Sequence, residues 1–333
     1  MVDRYQRVLR DLRISVTDRC NFRCRYCMPQ EVFGPGFQFL ERAELLSFEE
    51  IARLASVSAG LGVRKLRLTG GEPLLRRDLD RLIAMLASIE GIDDIALTTN
   101  GSLLAARAES LVAAGLSRVT VSLDALDDAT FAQMNGVGAS VDRVLAGIDA
   151  AAAAGLAPVK VNMVVKRGVN DDAVLDMASY FRERGHVLRF IEYMDVGNTN
   201  QWHTDEVVSA ADLRSLIGAR WPLEPLAPLY PGEVARRWRY ADGSGEVGFI
   251  ASVTEPFCGG CTRARVSADG QLYTCLFGAH GHDLRSLLRD GSDDSAVSSA
   301  LARIWGLRED RYSELRAAAS VAGPKVEMSY IGG

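Results

Sequence analysis

Six cysteines are the residues whose spacing points most directly to chemistry, and they fall into two triplets far apart in the chain. The first triplet is Cys20, Cys24 and Cys27, and the second is Cys258, Cys261 and Cys275. A four-iron cluster takes one protein ligand per iron, and a structural zinc site normally closes with four ligands. Three cysteines therefore leave one iron of such a cluster open to a small molecule, and two triplets predict two open irons.

The bulk composition restricts what these cysteines can be. The chain has 333 residues, of which 48% are hydrophobic, enough for one large α/β barrel or two ordinary domains. No apolar signal core and no stretch near the ~18 apolar residues of a membrane span are present, so we expect a cytoplasmic protein with no membrane partner. Disulfides are disfavoured in that compartment, so clustered cysteines indicate metal or redox ligands. The net charge of −5 argues against a nucleic-acid partner, and an anionic ligand would need a local group of cations.

The elements that must position these residues follow an alternating pattern. Between Arg13 and Met194, short β-rich runs alternate with Ala- and Leu-rich stretches, which predicts a parallel sheet wound with helices. The predicted strands are Leu12–Thr17, Lys65–Thr69, Ile95–Thr99, Val119–Asp124, Val159–Met163 and Leu188–Met194. The predicted helices lie around Phe48–Ala59, Asp78–Ser88, Leu104–Ala114, Val141–Ala154 and Ala173–Arg184.

Polar and charged residues occupy one face of several predicted strands, opposite an apolar face that helices would cover. The polar faces carry Arg13, Ser15, Thr17, Lys65, Arg67, Thr69, Thr120, Ser122, Asp124, Lys160 and Asn162. A lumen this polar predicts a cavity for a charged ligand at the carboxyl ends of the strands. In the sixth strand Arg189 and Met194 have opposite parity, so alternation alone does not place both inward.

The pattern changes after Met194. A stretch rich in proline, Trp221–Pro231, predicts the junction between a first domain, residues 1–220, and a C-terminal module, residues 221–333. Strand-like runs follow at Glu246–Val253, Thr262–Ser267 and Gln271–Leu276, with a hairpin signal at 268–270 between the last two. Two late helices are expected around Leu284–Arg289 and Ala296–Trp305.

The first cysteine triplet stands on a loop directly after the first predicted strand. Its CxxxCxxC spacing resembles the signature of the radical S-adenosylmethionine (SAM) enzymes, and the segment Gly70-Gly71-Glu72-Pro73 resembles their methionine-binding motif. Adjacent glycines let a backbone approach a ligand closely. The alternative is a zinc knuckle with its fourth ligand elsewhere, which the spacing, the strand context and the glycine motif together disfavour.

The second triplet, taken alone, is equally compatible with structural zinc. The chain has no further cysteine to close an all-cysteine site, and His280 and His282 lack a clear ligand spacing although they could still ligate zinc. Arg263 and Arg265 alternate on one face of the strand between Cys261 and Cys275. Beside an open metal site, such a pair indicates phosphate or carboxylate binding more than a solubilising charge.

Several separate blocks together resemble the GTP 3′,8-cyclase family, the radical SAM enzymes that open molybdenum cofactor biosynthesis. The blocks are residues 21–29, residues 67–73, residues 98–101, residues 160–162, the segment 258–275 and the terminal Gly332-Gly333. The resemblance implies an incomplete (β/α)6 TIM-like barrel, a radical SAM fold whose open side is closed by a C-terminal α+β module. It also implies a lyase that converts GTP to 3′,8-cyclo-7,8-dihydro-GTP with a 5′-deoxyadenosyl radical.

The resemblance further assigns roles to individual residues. It implies two 4Fe-4S clusters, one on each cysteine triplet, with SAM as the second cofactor. SAM would contact Tyr26, Gly71, Ser122 and Met194. GTP would contact Arg13, Arg67, Thr98, Lys160, Arg189, Arg263 and Arg265. Gly332 and Gly333 would enter the active site as a catalytic tail, whereas terminal glycines usually indicate a frayed end. The family commonly has Asn where this chain has Thr262, which keeps a hydroxyl but lacks the amide that would orient the base.

The expected partners also follow from the resemblance. They are GTP as substrate, an external electron donor, a second copy of the chain in a homodimer, and the downstream cyclic pyranopterin monophosphate synthase. Two other functions stay open at this point. A radical SAM peptide-modifying enzyme would usually need more cysteines, and a zinc-dependent nucleic-acid-binding protein is opposed by the net charge and the polar lumen.

Overall fold

The computed structural model describes residues 1–316 and 325–333. The strands are β1 Asp11–Ser15, β2 Lys65–Thr69, β3 Asp94–Thr99, β4 Arg118–Ser122, β5 Lys160–Val165, β6 Val187–Glu192, β7 Leu223–Pro225, β8 Arg236–Tyr240, β9 Glu246–Ile250, β10 Arg263–Val266, β11 Gln271–Tyr273 and β12 His282–Asp283. The helices are α1 Phe48–Gly60, α2 Leu79–Ala87, α3 Ala108–Ala113, α4 Asp128–Asn135, α5 Val141–Ala151, α6 Val174–Glu183, α7 Ala210–Arg220, α8 Arg285–Arg289, α9 Asp294–Gly306, α10 Tyr312–Leu315 and α11 Met328–Ile331. None of the helices in these two ranges has the length and apolar character needed to span a bilayer.

A single twelve-stranded sheet organises the molecule. Strands β1 to β6 are parallel and lie side by side in chain order, each joined to the next through helical crossovers. The C-terminal part of the chain extends both edges of this sheet, because β9 pairs in parallel with β6 and β10 pairs in parallel with β1. The remaining strands add antiparallel hairpins outside these two. This topology confirms the predicted architecture, an incomplete (β/α)6 TIM-like barrel whose open side is closed by a C-terminal module.

The alternation of residue types explains which face of the sheet is covered. Leu12 and Ile14 on β1, like Leu66 and Leu68 on β2, are almost completely buried and belong to one continuous apolar core with the surrounding helices. A capping box at Ser47 starts α1, since the Ser47 hydroxyl accepts from the Glu50 amide and the Glu50 carboxylate accepts from the Ser47 amide. The apolar strand faces thus point outward to the helices, which leaves the polar faces to line the interior.

Several elements differ from the sequence prediction for local physical reasons. Helix α3 begins at Ala108 rather than Leu104, because the chain first makes turns after Gly101, whose φ is +77°. Helix α4 was not predicted; Asp127 caps its first turn by accepting from the Thr130 amide, and Gly136 ends it in the left-handed conformation.

The region 221–240 also differs from expectation. The proline-rich segment was predicted to be only a junction, but its residues 223–225 form β7, which pairs antiparallel with β8 at the edge of the sheet. Pro225 is tolerated there because an edge strand can present its missing N–H outward. The division of the chain at residue 220 stays a prediction.

Candidate active site

A cavity of about 490 Å³ lies inside the curved sheet and opens at the carboxyl ends of the parallel strands. All six cysteines line it, together with every residue that the family resemblance assigned to SAM or GTP. These residues are Tyr26, Gly71, Ser122, Met194, Arg13, Arg67, Thr98, Lys160, Arg189, Arg263 and Arg265. Gly333 also lines the cavity, and Gly332 adjoins it through a hydrogen bond described below. The two triplets, more than 230 residues apart in sequence, therefore share one chamber.

The strand register explains how the arginines gather. Arg13 on β1 stands in register with Arg265 on β10 and with Arg67 on β2, so the three side chains lie on the same face of neighbouring strands. Arg263 stands in register with Asp11 by the same pairing. The insertion of β10 beside β1 therefore places a second pair of arginines beside the cations predicted from β1 and β2.

Arg67 on β2 and Arg189 on β6 are held by neutral hydrogen-bond partners. The Arg67 guanidinium donates to the Thr98 hydroxyl at 2.9 Å. The Arg189 Nε donates to the side-chain Oδ1 of Asn162 at 2.9 Å, and its Nη2 donates to the Thr120 hydroxyl at 3.1 Å. None of these partners supplies a negative charge, so the side chains are oriented but not neutralised.

Burial, and then the neighbouring positive charges, lower the pKa values of several of these cations. Burial, and then the neighbouring Arg265, Arg67 and Arg263, lower the pKa of Arg13. Burial together with Arg189 lowers the pKa of Lys160 to about 8, and burial together with Arg67 lowers the pKa of Arg189 to about 9. Such a group of buried like charges is costly without a counter-ion. The cavity is therefore electrostatically suited to a ligand with several negative charges.

The first cysteine triplet lies on the loop after β1 and is held against the segment after β2. The Phe22 amide donates to the Cys20 sulfur at 3.4 Å. Burial raises the pKa of Cys20 to about 11 and also raises the pKa values of Cys24 and Cys27. Three free thiols with buried surroundings fit an iron–sulfur cluster, since metal binding replaces the proton on each sulfur.

The glycine motif after β2 is shaped by close backbone contact. A Cβ at Gly71 would collide with the Arg19 carbonyl oxygen, so the two loops can touch only because this residue is glycine. The Glu72 carboxylate accepts from the Thr99 hydroxyl and the Asn100 amide, both at 2.7 Å. Burial raises the pKa of Glu72 to about 7. These bonds connect the loops after β2 and β3 beneath the cysteine loop.

Tyr26 belongs to a second polar contact at the same end of the barrel. Its hydroxyl donates to Asp124 Oδ2 at 2.9 Å, and Asp124 Oδ1 accepts from the Val164 amide at 2.9 Å. Burial raises the pKa of Asp124 to about 6. Ser122 lies two residues earlier on β4 and lines the same part of the cavity.

The second cysteine triplet is surrounded by positive charge. The Arg263 Nη2 lies 3.3 Å from the Cys261 sulfur. Burial alone would raise the pKa of Cys261, but Arg263 and Arg308 together lower it to about 6. Within residues 1–316 and 325–333, the buried Nε of Arg263 and Nη2 of Arg7 have no hydrogen-bond partner. Of these two, Arg263 lines the cavity, and its unpartnered donor beside three free thiols fits an anionic group such as an iron–sulfur cluster with thiolate ligands.

The two histidines considered as zinc ligands lie elsewhere. His280 and His282 are exposed, and neither lines the cavity that holds the cysteines. In the described part of the chain, no three His, Cys, Asp or Glu side chains are grouped closely enough for a single metal ion. Thr262, at the position where the family commonly has Asn, donates its hydroxyl to Asp11 at 2.7 Å and does not line the cavity.

The C-terminal residues return to the barrel. Ile331 is fully buried, and the Gly332 carbonyl oxygen accepts from the Nε of Arg265 at 3.4 Å. Gly332 has φ +75°, and a Cβ there would collide with the Thr69 side chain. The last residues are held further back by Glu327, whose carboxylate accepts from the Asn198 amide at 2.9 Å.

Several cavity residues were not selected from the sequence as site residues. Lys65 faces inward and donates to the Tyr230 hydroxyl at 3.0 Å, and its ammonium lies 3.7 Å from both Asp11 and Asp94. Strand alternation had placed Lys65 on the inner face, so that signal was available. Tyr230 and Arg308 carry no such signal, because they lie on irregular segments whose position depends on tertiary contacts.

Two family models match consecutive parts of the chain. The Radical SAM superfamily model matches residues 14–181, and the Molybdenum Cofactor Synthesis C model matches residues 186–314. Among solved structures, SuiB from Streptococcus suis, with S-adenosylmethionine bound, superposes with a TM-score of 0.63 at 16% identity and covers 91% of this chain and 69% of its own. The fold and the first cysteine motif thus define a radical SAM enzyme, a class that uses SAM with an iron–sulfur cluster.

Relatives of high identity specify the family within that class. GTP 3′,8-cyclase from Acidothermus cellulolyticus is 57% identical over 99% of this chain and 98% of its own length. The enzymes of the same name from Xanthomonas campestris pv. campestris (strain 8004) and Staphylococcus saprophyticus are 55% and 48% identical over the whole of this chain and 97% and 99% of their own lengths. The chain belongs to the GTP 3′,8-cyclase family.

Proposed function

We propose that this chain converts GTP to 3′,8-cyclo-7,8-dihydro-GTP in the cavity between the two cysteine triplets, as the first step of molybdenum cofactor biosynthesis. The observation that carries the proposal is the shared chamber, in which both triplets and a group of uncompensated cations meet. Relatives named GTP 3′,8-cyclase match the chain at 48–57% identity, which supports this function over peptide modification or zinc-dependent nucleic-acid binding.

The first triplet would hold a 4Fe-4S cluster through Cys20, Cys24 and Cys27, with SAM bound near Tyr26, Gly71, Ser122 and Met194. SAM and the reduced cluster would supply a 5′-deoxyadenosyl radical there. Loss of the C3′ hydrogen atom of GTP, bond formation between C3′ and C8 of guanine, and uptake of one electron from the external donor and one proton would give the 7,8-dihydro product. The second triplet would hold another 4Fe-4S cluster, with its open iron facing the guanine end of GTP. The unpartnered Nε of Arg263, whose guanidinium contacts the Cys261 sulfur, supports a negatively charged group at this place.

The chain's own contribution is to position GTP and to neutralise its charge. A triphosphate carries about four negative charges. The cations of β1, β2, β5, β6 and β10 that face the cavity outnumber the carboxylates that could neutralise them. We assign the contacts with GTP to Arg13, Arg67, Lys160, Arg189, Arg263 and Arg265, with Thr98 orienting Arg67. Holding GTP at both ends keeps C3′ close to C8. Such positioning lowers the activation barrier to ring closure, because the entropy cost of bringing the two atoms together is met on binding.

The remaining assignments extend the same proposal. Residues 1–220 would form the barrel domain and residues 221–333 the module that carries the second cluster; residues 317–324 of that module lie outside the described ranges. Gly332 and Gly333 would act in the catalytic pocket. The enzyme would work in the cytoplasm as a homodimer, take electrons from an external donor, and pass its product to cyclic pyranopterin monophosphate synthase.

Metal analysis and two cysteine variants test the proposal. Protein reconstituted without oxygen should hold about eight irons per chain, as two four-iron clusters require. Cys24→Ala should abolish SAM cleavage, whereas Cys261→Ala should retain SAM cleavage and lose the cyclised product. Product identification by mass spectrometry after incubation with GTP, SAM and a reductant provides the measurement. Normal product from the Cys261→Ala variant would show that the second triplet has no role toward the substrate.

A further inference from the structure

A buried ionic cluster connects the first residues of the chain to the second cysteine triplet. Residues 2–8 form a tight hairpin that is closed by the bridge between Val2 and Val8, and Asp3 directly follows Val2. Asp3 Oδ1 accepts from the backbone amides of Tyr5 and Arg7, both at 2.9 Å. One oxygen of this carboxylate thus builds the hairpin, which leaves the other oxygen for side-chain partners.

The second oxygen of Asp3 bridges two arginines from opposite ends of the chain. Asp3 Oδ2 accepts from Arg7 Nε at 2.5 Å and from Arg308 Nη1 at 3.3 Å. The Asp3 side chain is 0% exposed and both arginine side chains are 2% exposed. Buried charges persist in a protein interior only when paired and hydrogen-bonded, so Asp3 is the group that makes this arrangement possible.

Each arginine also holds the backbone of one cysteine. Arg7 Nη1 donates to the Cys258 carbonyl oxygen at 2.9 Å and to the Asp310 carbonyl oxygen at 2.8 Å. Arg308 Nη1 donates to the Cys261 carbonyl oxygen at 3.0 Å. The two cysteines at the ends of the Cys258-Gly-Gly-Cys261 turn are therefore fixed by two guanidiniums that share one carboxylate.

Besides the two arginines, the turn is held by its own bond from the Cys261 amide to the Cys258 carbonyl oxygen at 3.1 Å and by a bond from the Gly259 amide to the Glu314 carboxylate at 3.0 Å. Gly259 and Gly260 contribute no side chains, and a Cβ at either position would meet nothing closer than 3.8 Å. The indole of Trp305 supports the cluster from behind, because it donates to the Arg7 carbonyl oxygen at 3.0 Å and the Arg308 guanidinium lies 4.5 Å from its ring centre. By contrast, none of these contacts reaches the first cysteine triplet on the opposite wall of the cavity.

We propose that Asp3 is a positioning residue for the second iron–sulfur cluster and acts on it through Arg7 and Arg308. Asp3 thereby sets the iron affinity and the reduction potential of the second cluster and does not affect the first cluster. The inference rests on the proposed function, since it presumes a cluster on the second triplet. Groups that orient metal ligands typically change metal affinity by about 10- to 100-fold when removed. Loss of a buried negative charge near a cluster also favours its reduced, more negative state.

The test compares three single variants with the parent holoenzyme. Asp3→Asn keeps the size of the side chain but removes its charge, and Arg7→Lys keeps the charge but cannot bridge the Cys258 and Asp310 carbonyls. Glu309→Gln is the matched control, because the ion pair between Arg4 and Glu309 joins the same two segments but is 52% and 57% exposed. The measurements are the rate of iron removal by a chelator, the reduction potential of each cluster by electron paramagnetic resonance, and SAM cleavage without GTP.

We expect Asp3→Asn and Arg7→Lys to release half of the iron about 10- to 100-fold faster than the parent, while the other half and SAM cleavage stay unchanged. In Asp3→Asn, the potential of the second cluster should rise and that of the first should not move. If the parent holds about eight irons and both variants behave like Glu309→Gln, the positioning role is refuted. A parent with only about four irons would instead overturn the second cluster itself, and this inference with it.

Discussion

Replacing Gly332 with alanine should separate the two accounts of the C-terminal tail. In the structure Gly332 has φ +75° and ψ 129°, a backbone conformation that residues with a Cβ rarely adopt. The added methyl group would also overlap the Thr69 side chain on the cavity wall. A frayed tail would simply rearrange around the substitution, whereas a tail that acts in the catalytic pocket would be expelled from it.

The expected size of the effect follows from the backbone. A residue held in such a sparsely populated conformation costs about 1–3 kcal/mol, which corresponds to a decrease of about 5- to 150-fold in the docked fraction of the tail. The contact with Thr69 adds to this cost. We therefore expect Gly332→Ala to lower the rate of product formation by about 10- to 100-fold, while iron content, melting temperature and SAM cleavage without GTP stay close to those of the parent.

The neighbouring glycine provides a graded comparison. A Cβ at Gly333 would approach the Met328 sulfur at 3.0 Å, and that flexible side chain can move, so Gly333→Ala should cause a smaller loss. In the double variant Thr69→Ala with Gly332→Ala, removal of the Thr69 side chain relieves the overlap but not the backbone cost, so activity should recover only in part. Product is quantified by chromatography in anaerobic single-turnover reactions. Product formation by Gly332→Ala at the parent rate would refute the catalytic role of the docked tail.

Three further predictions concern charge and backbone conformation. Burial and neighbouring cations lower the pKa of Lys160 to about 8, so GTP affinity should fall as the pH rises above this value and binding there should take up a proton; Lys160→Arg should remove that dependence in calorimetric titrations. Arg263→Ala and Arg265→Ala should each weaken GTP binding by about 1.5–3 kcal/mol and leave SAM binding nearly unchanged, and equal weakening of both ligands would mean that these arginines support the fold instead. Gln6 has φ +62°, a left-handed conformation that costs free energy for any residue with a Cβ. Gln6→Gly should therefore raise the free energy of unfolding by about 0.5–1 kcal/mol in urea denaturation, and a decrease would show that the left-handed conformation costs nothing here.

Strand alternation predicted the chemistry of the lumen because it is a local property. Arg13, Arg67 and Lys160 were placed on the inner face from parity alone, and all three line the cavity. The conflict at the sixth strand also has a simple explanation. Strand β6 ends at Glu192, so Arg189 faces inward within the strand, whereas Met194 lies beyond it, where alternation no longer applies.

Other features depend on contacts between distant residues and carry no local signal. The pairing of β10 with β1 joins segments about 250 residues apart, and no periodicity in either segment specifies its neighbour. Asp3 and Arg308 are 305 residues apart in sequence, and from sequence alone each would be interpreted as an ordinary surface charge. The spacing of Arg263 and Arg265 beside the second triplet indicated anion binding from sequence, but their place beside Arg13 follows only from this pairing.

The insertion of β10 beside β1 has a consequence for the order in which the protein can be made. During synthesis, β1 and β2 leave the ribosome roughly 200 residues before β10, which is a delay of about 10–40 s at typical elongation rates. Throughout that interval the outer edge of β1 has no partner, and an unpaired parallel edge next to exposed thiols favours association with other chains. The cavity that we propose binds GTP is completed only when the last quarter of the chain arrives. Any cluster inserted earlier would therefore be attached to an unfinished barrel.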